Sequence, residues 1–451
     1  MSLRSRWFMF FIQVISYIIL IFVLWITIER LLMWNIFDPF INNTIHILLG
    51  FFGFLRVQYQ IDQEGITVWM SRFVIVVSAI LLVFKNRYIR FREFWLSCLP
   101  FLALLTIAGI SRFWSVQSGY TNGRYLYFAA VALGGFYIGL DSKKSTIRWI
   151  FEAFAALVVV GCVLMVAVRP IFAINSRNDW IGLFGWKMPP GTFMGFAAIL
   201  FLFRLIDIKK EHWFVRIYSF VFYVASMFML VRSQSTTELI AVLAVHVLVV
   251  LGLLYLKWGH LLKPFHWWIV GATCVIVLLF LWFGRGIWLG FLGKDSEFTG
   301  RFRLWATLIP YIKQRLFLGY GFGEAFWKNI QYYQPVWAVI TWDPVFAHNG
   351  YIEALIDTGI VGLGLWIIFL VQVVYYSISY FLHGRNISTF LFFAWFVFVA
   401  VANIANNHLG SYETLTWLLL VVTFASLLKD RLEQKQLSSP KIRNALGSSF
   451  N

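Results

Sequence analysis

Long, uninterrupted apolar runs recur from one end of the chain to the other, and they restrict its fold more than any other feature. The run from Trp267 to Phe283, for example, contains no charged residue. A helix needs about 20 predominantly apolar residues to cross a bilayer, and in lipid the backbone must satisfy its own hydrogen bonds. A transmembrane barrel would instead show short segments of alternating polarity. The sequence therefore predicts an all-α polytopic membrane protein.

The composition predicts a single membrane domain over residues 1–451, with no soluble domain large enough to carry the function. Charged residues make up 13% of the chain, whereas soluble domains contain about 25%. The net charge of +17 would suggest a nucleic-acid partner for a soluble protein. In a membrane protein the positive-inside rule accounts for most of this charge, so no nucleic-acid partner is expected.

The apolar runs predict about twelve transmembrane helices. The first run follows Arg4 and Arg6 but is long for a signal peptide and lacks a small-x-small cleavage site, so we expect it to be retained. Polar residues interrupt the run 36–55, which we expect to lie outside as an interfacial or re-entrant segment, with a thirteenth span as the alternative. The predicted helices are 7–28, 66–84, 94–110, 124–140, 149–168, 189–205, 213–231, 235–256, 266–284, 350–379, 387–405 and 413–428.

The basic residues predict the orientation of these helices. If the N-terminus lies in the cytoplasm, every inner connection is short and basic, and so is the C-terminal tail. The last outer turn, Asn406 to Tyr412, contains no Lys or Arg. This asymmetry follows the positive-inside rule, so both termini are expected in the cytoplasm.

Further basic residues fall on the predicted outer side, where the rule does not require them. They include Arg169, Arg177, Lys187, Arg232 and Arg285. Long basic side chains can extend to lipid phosphates, or they can form a cationic site for an anionic ligand. The sequence leaves both interpretations open.

The longest connection, residues 285–349, is predicted to be an extracytoplasmic loop between the ninth and tenth helices. It is too apolar for a disordered segment, and loops of this length are usually functional. Apolar residues recur in it at helical spacing, which predicts an amphipathic helix at the membrane interface. These residues are Phe302, Trp305, Leu308, Ile309, Ile312 and Leu316.

Several short motifs follow one another in this loop and around it. Thr299-Gly300-Arg301 precedes Trp305, a Gly-x-Gly-x-Gly patch begins at Gly319, and His348-Asn349-Gly350 opens a helix that contains Glu353. Ser233-Gln234-Ser235 and Gly182 to Lys187 add two earlier segments. In this order the motifs resemble the O-antigen ligase and polymerase superfamily of bacterial membrane glycosyltransferases, often called Wzy-C. The stretch from Asp295 to Arg301 is most similar to exopolysaccharide-polymerase-like members.

The resemblance implies a GT-C-like helical fold in the bacterial inner membrane, with the active site on the extracytoplasmic side. It implies transfer of a glycan from an undecaprenyl-diphosphate donor to a saccharide acceptor, with membrane lipid around the enzyme. The acceptor is a second lipid-linked repeat unit in the polymerase branch and lipid A–core in the ligase branch. Chain-length regulators and export proteins are the expected protein partners. No cofactor is expected, and because the sequence has no Asp-x-Asp and no cluster of His and carboxylates, no metal is expected either.

Four residues are the main candidates for the chemistry. Arg301 matches the Arg of the family, and a guanidinium group can stabilise a leaving diphosphate. His348 is the candidate general base. Asn349 either orients this His or caps the helix, and Glu353 would hold His348 or bind sugar hydroxyls.

Other polar residues are candidates for substrate binding. Ligase-type members carry an Arg after the second Ser of the Ser-x-Ser motif, and Thr236 occupies that position here, which favours the polymerase branch. His408 in the last outer turn could face the same cavity or be structural. The candidate substrate-binding residues are Arg303, Arg232, Lys187, Arg177, Arg169, Arg285, Asn349, Ser235 and Glu238.

Two other classes of function fit the sequence less well than a transferase. Transporters often have pseudo-symmetric halves and broken helices near the midplane of the membrane. The chain shows no internal repeat, and its candidate polar residues cluster in the predicted outer loops. No motif in the sequence is typical of a non-catalytic assembly scaffold.

Overall fold

The computed structural model describes residues 63–85, 92–184, 188–207, 213–258, 300–340, 342, 344–384, 387–408 and 415–437. Within these residues the chain is almost entirely helical, and its one β contact is an isolated bridge between Ile174 and Trp180. The predicted helices 7–28 and 266–284 and the predicted interfacial segment 36–55 lie outside the described residues.

Fourteen α-helices occur in the described part of the chain, with short 3₁₀ turns at Ser111–Phe113 and Ile387–Phe390. In chain order they are α1 (Gln63–Lys85), α2 (Arg92–Ile110), α3 (Ser118–Asp141), α4 (Lys144–Val168), α5 (Pro170–Ala173), α6 (Met188–Ile206), α7 (Trp213–Arg232), α8 (Thr236–Trp258), α9 (Arg301–Gln314), α10 (Ala325–Lys328), α11 (Ile330–Val339), α12 (Gly350–Gly384), α13 (Leu391–Ala402) and α14 (Leu415–Leu437).

Each of the ten predicted membrane helices in this part of the chain overlaps an observed helix, but the prediction at 387–405 was too long, because the α-helix there covers only Leu391–Ala402. Six helices there are long and apolar enough to cross a membrane, so the chain is a multi-pass membrane protein. The total of about twelve spans and the GT-C-like arrangement stay predictions. The six are Arg92–Phe113, Lys144–Val168, Pro189–Ile206, Trp213–Arg232, Thr236–Lys257 and Gly350–Gly384.

Aromatic side chains and close helix contacts form the core of the bundle. The rings of Phe128 on α3 and Trp417 on α14 stack with centroids 4.5 Å apart. A Cβ at Gly139 would overlap the Val422 carbonyl and Ala425 of α14, so glycine at this position lets the two helices approach. Small residues have this role in many membrane helix pairs.

The described helix connections gather at two ends of the bundle. One end, called here the site end, comprises residues 111–117, 169–184, 232–236, 300–349 and 403–408. The opposite end holds ion pairs, including Lys144 of α4 with Asp430 of α14 and Arg148 with both Glu152 of the same helix and Asp207 at the end of α6. One end of the bundle is therefore stabilised by ion pairs, and the other end, the site end, contains the predicted motifs.

A break in α12 shapes the site end. Gly359 has φ 66° and ψ −166°, which no helix contains. The amide nitrogen of Ile360 donates to the Leu316 carbonyl over 2.8 Å, and the Ile356 carbonyl accepts from the amide nitrogen of Tyr320 over 2.7 Å. The segment 316–321 thus satisfies backbone groups that the break would leave without partners, and this fixes the Gly-x-Gly-x-Gly patch against α12.

Candidate active site

The turn formed by residues 403–408 is the centre of the polar contacts at the site end. It follows the apolar helix α13, and its polar residues Asn403, Asn406, Asn407 and His408 are all buried. The amide nitrogen of His408 donates to Asn403 Oδ1 over 2.9 Å, which closes the turn. Residues from α8, α9 and α12 all contact this turn.

Arg301 reaches the turn from the first position of α9. Gly300 precedes it with φ 81°, a conformation that glycine adopts without strain. Arg301 Nη1 donates a hydrogen bond to the Ala405 carbonyl. Burial lowers the pKa of Arg301, and the negative charge of Glu238 partly offsets this effect. The guanidinium group of Arg301 is therefore close to Glu238.

Glu238 reaches the same turn from α8 and is only 1% exposed. Ser235 Oγ donates to Glu238 Oε2, and Asn406 Nδ2 donates to Oε1. His408 Nε2 lies 3.7 Å from Oε1. A buried carboxylate is stable only when it is paired and hydrogen-bonded, and these groups together with Arg301 provide that environment.

His348 lies in the loop just before α12, with an unusual backbone φ of 52°. Its ring packs against Trp342 and Phe346, with centroid distances of 5.1 and 4.2 Å. Burial and, second, the positive charge of Arg301 lower the pKa of His348 to about 3. His348 Nδ1 is buried and has no hydrogen-bond partner among the described residues. The imidazole is therefore neutral at physiological pH, and it lies close enough to Arg301 to be influenced by its charge.

Asn349 acts as the N-cap of α12. Its Oδ1 accepts hydrogen bonds from the amide nitrogens of Tyr351 and Ile352, over 2.9 and 3.1 Å. Its Nδ2 donates to the Ile404 carbonyl over 2.9 Å. Of the two predicted alternatives, the structure has the cap. The same side chain also joins the start of α12 to the 403–408 turn, next to the contact that Arg301 makes.

Glu353 lies beneath the His348 loop and has no exposed surface. It accepts hydrogen bonds from Trp327 Nε1 over 2.8 Å and from the amide nitrogen of Ala347 over 2.6 Å. Trp305 Nε1 donates to the Ala347 carbonyl over 2.8 Å. Glu353 thus holds the backbone immediately before His348, whereas the prediction had it hold the imidazole or bind sugar.

The other predicted basic residues do not share these contacts. Arg303 is exposed, and because two residues along a helix differ by about 200°, it lies on the face of α9 opposite Arg301. Arg169 and Arg177 are exposed in the 169–184 loop, and the guanidinium of Arg232 lies 4.8 Å from the centre of the Trp180 ring. Lys187 and Arg285 lie outside the described residues.

The structure therefore brings five predicted residues together around the 403–408 turn, namely Arg301, His348, Asn349, Ser235 and Glu238. The sequence did not predict Asn403 and Asn406 as site residues, and it left open whether His408 faces the site. The sequence feature that could have indicated them is the occurrence of four polar residues within six positions directly after an apolar helix. These residues are Asn403, Asn406, Asn407 and His408. No group of three or more His, Cys, Asp or Glu that could hold a metal ion occurs among the residues described.

Comparison with known proteins gives one finding for this region. The family model for O-antigen ligase matches residues 220–367. The matched segment contains Ser235, Glu238, Arg301, His348 and Asn349, and the match confirms the predicted resemblance to the O-antigen ligase and polymerase superfamily. No curated protein sequence matches the chain.

Proposed function

We propose that this member of the O-antigen ligase and polymerase superfamily transfers a glycan from an undecaprenyl-diphosphate donor to a sugar hydroxyl on the extracytoplasmic side of the bacterial inner membrane. The single observation that supports this most is that Arg301 and Asn349, the residue after His348, bind adjacent carbonyls of the 403–408 turn. The pKa of His348 is lowered by burial and, second, by the charge of Arg301. A cation and a neutral imidazole are thus available in one site.

In the proposed reaction, an acceptor hydroxyl attacks the anomeric carbon of the donor sugar. The bond between this carbon and the diphosphate oxygen breaks, and the lipid diphosphate leaves with its electron pair. The hydroxyl proton passes to the imidazole of His348. Arg301 stabilises the negative charge that grows on the leaving group, as preorganised donors do in other transferases and hydrolases.

The charge of Arg301 also links donor binding to the basicity of His348. A group with a pKa of about 3 is a weak base. When the diphosphate pairs with Arg301, the positive charge that His348 experiences is reduced, so its pKa rises. Donor binding thus offsets the second of the two causes that lower the pKa of His348, while burial, the larger cause, remains.

The polymerase reaction is the favoured form of this function. The stretch from Asp295 to Arg301 resembles polymerase-like members, and Thr236 stands where ligases carry an Arg. Transfer to lipid A–core is the second candidate, because the matching family model is described as O-antigen ligase. A native strain without the gene would accumulate single lipid-linked repeats if the protein is a polymerase, and long lipid-linked chains if it is a ligase.

Turnover of a purified lipid-linked oligosaccharide by the purified protein tests the transferase itself. We expect Arg301→Ala and His348→Ala to lower the rate by about 10²–10³-fold. His246→Ala is the matched control, because His246 on α8 bonds Tyr223 and the Val242 carbonyl away from the 403–408 turn. No turnover by the wild-type protein, or full turnover by folded His348→Ala, would contradict the proposal, and transport without turnover would favour a flippase.

A further inference from the structure

Charge balance around Arg301 indicates that this residue does not bind a diphosphate alone. The buried carboxylate of Glu238 contacts the same turn from α8, and its negative charge acts on Arg301. A lipid-linked diphosphate carries negative charge on each of its two phosphates. The pair formed by Arg301 and Glu238 has no net charge, so a second positive group is needed for tight binding.

His408 is the group that faces Glu238 from the 403–408 turn. Its Nε2 is buried and lies 3.7 Å from Glu238 Oε1, which is too long for a good hydrogen bond. The atom has no hydrogen-bond partner among the described residues. A protonated imidazole has two donors on different edges of its ring, so Nε2 can face Glu238 while the other nitrogen donates to a ligand.

We propose that His408, held opposite Glu238, is a substrate-binding residue that in its protonated form binds one phosphate of the donor while Arg301 binds the other. This inference rests on the proposed function, and it assigns the second half of the diphosphate site. The set Arg301, Glu238 and protonated His408 carries one net positive charge. It also gives the buried Glu238 a role, which is to stabilise the imidazolium.

Binding of two lipids that differ by one phosphate tests this assignment. The probes are undecaprenyl diphosphate and undecaprenyl phosphate, and the protein is the full chain in detergent or lipid nanodiscs. We expect His408→Gln to weaken binding of the diphosphate by about tenfold or more, because a charge-assisted hydrogen bond is lost. Binding of the monophosphate should change by less than threefold, and His408→Arg should keep part of the preference for the diphosphate.

The uncharged variant Glu238→Gln distinguishes a neutral from a charged His408, because the two cases predict opposite changes in diphosphate affinity. If His408 is neutral and only fills space, removing the negative charge of Glu238 makes the site more positive and tightens diphosphate binding. If Glu238 stabilises a positively charged His408, its replacement by glutamine weakens diphosphate binding several-fold. Glu238→Gln can keep the bond from Ser235, so it is also the variant to use if His408→Gln fails to fold.

His246→Gln is the matched histidine control and should bind both lipids like the wild-type protein. The assignment is overturned if folded His408→Gln binds the diphosphate within twofold of wild type, or if Glu238→Gln binds it more tightly. If the wild-type protein itself shows no preference for the diphosphate over the monophosphate, the proposed function fails as well. If Arg301→Ala loses the preference and His408→Gln keeps it, only the role of His408 is wrong.

Discussion

His348 combines a strained backbone with a strongly shifted acid–base equilibrium. Burial and the charge of Arg301 lower its pKa from the ordinary 6.5 to about 3. Between these two pH values the unfolded chain binds more protons than the folded chain, so the folded protein loses stability as the pH falls through this window. We expect acidification from pH 7.5 to 5 to remove about 1–2 kcal/mol through His348.

Thermal unfolding in detergent at the two pH values measures this loss. His348→Gln should lose less stability than the wild-type protein on acidification, because it no longer has the shifted group. His383→Gln is the control, since His383 is exposed near the end of α12 and should behave like wild type. Equal losses in wild type and His348→Gln would show that His348 is not the group responsible.

Glu353 fixes the position of His348 through the backbone. Glutamine at this position has one side-chain oxygen and cannot serve both Trp327 Nε1 and the Ala347 amide as the carboxylate does. We expect Glu353→Gln to lower the free energy of unfolding by about 1–3 kcal/mol. We also expect kcat to fall while KM for the donor changes little, because the imidazole is displaced and the diphosphate site is not.

The surface pair formed by Glu93 and Lys435 supplies the control for this substitution. Both side chains are exposed, and their charged atoms are 2.8 Å apart. Because exposed ion pairs contribute about 0–1 kcal/mol, Glu93→Gln should change stability and turnover little. Normal kcat in Glu353→Gln would mean that the His348 loop is held by other contacts, such as Trp305.

The sequence identified the residues with recognisable chemistry but not their partners. Arg301, His348 and Asn349 stand in motifs that resemble a family and could be named in advance. Asn406 contacts Glu238 although 168 positions separate them in the chain, and no local pattern reports such a contact. The role of Glu353 depends in the same way on where the fold places the Ala347 amide.

The break in α12 is the clearest feature at the scale of elements. Alanine at Gly359 would adopt a left-handed backbone, and its Cβ would overlap the Phe317 carbonyl. With ψ −166°, this backbone region is essentially restricted to glycine and alone costs alanine about 1–3 kcal/mol. We therefore expect Gly359→Ala to destabilise the protein by at least about 2 kcal/mol in thermal unfolding.

Gly364 lies in the same helix and is the matched control. A Cβ there meets no other atom within 4 Å, and its backbone is helical. Gly364→Ala should be neutral or slightly stabilising, because alanine favours helix over glycine by about 1 kcal/mol. Equal effects of the two substitutions would argue against the break at Gly359.

The sequence predicts the membrane helices well, but it does not predict the break within α12. The apolar runs predicted every described membrane helix, because burial in lipid requires long apolar segments. The break was not predicted, because Gly359 and Gly362 are equally typical of a helix face whose small residues pack against another helix. Only the contact with Leu316 and Phe317 reveals the function of Gly359. Likewise, α9 was predicted from its apolar spacing, whereas α10 and α11 are too short to give a pattern.

Over the whole molecule, the separation of the two ends agrees with the charge pattern of the sequence. Among the described residues, those in or next to the connections predicted to be cytoplasmic include the ion-paired Lys144, Arg148 and Asp430. Arg301 and Asn349, from the long connection predicted to be outside, contact the 403–408 turn. The sequence predicts which connections share an end of the bundle better than it predicts the number of spans. Helices such as α3 and α13 are either partly polar or short, so hydropathy alone does not identify them clearly as spans.

Orientation in the membrane is the property of the whole molecule on which the proposed function depends, because the lipid-linked donor is expected on the outer side. Arg177 at the site end and Lys143 at the opposite end are both exposed. We expect Arg177→Cys, but not Lys143→Cys, to react with a membrane-impermeant maleimide in intact spheroplasts. Both should react after permeabilisation. The wild-type chain measures background labelling from its three native cysteines, of which Cys98 and Cys162 are buried. Labelling of position 143 alone in intact cells would place the 403–408 turn in the cytoplasm, where the proposed transfer could not occur.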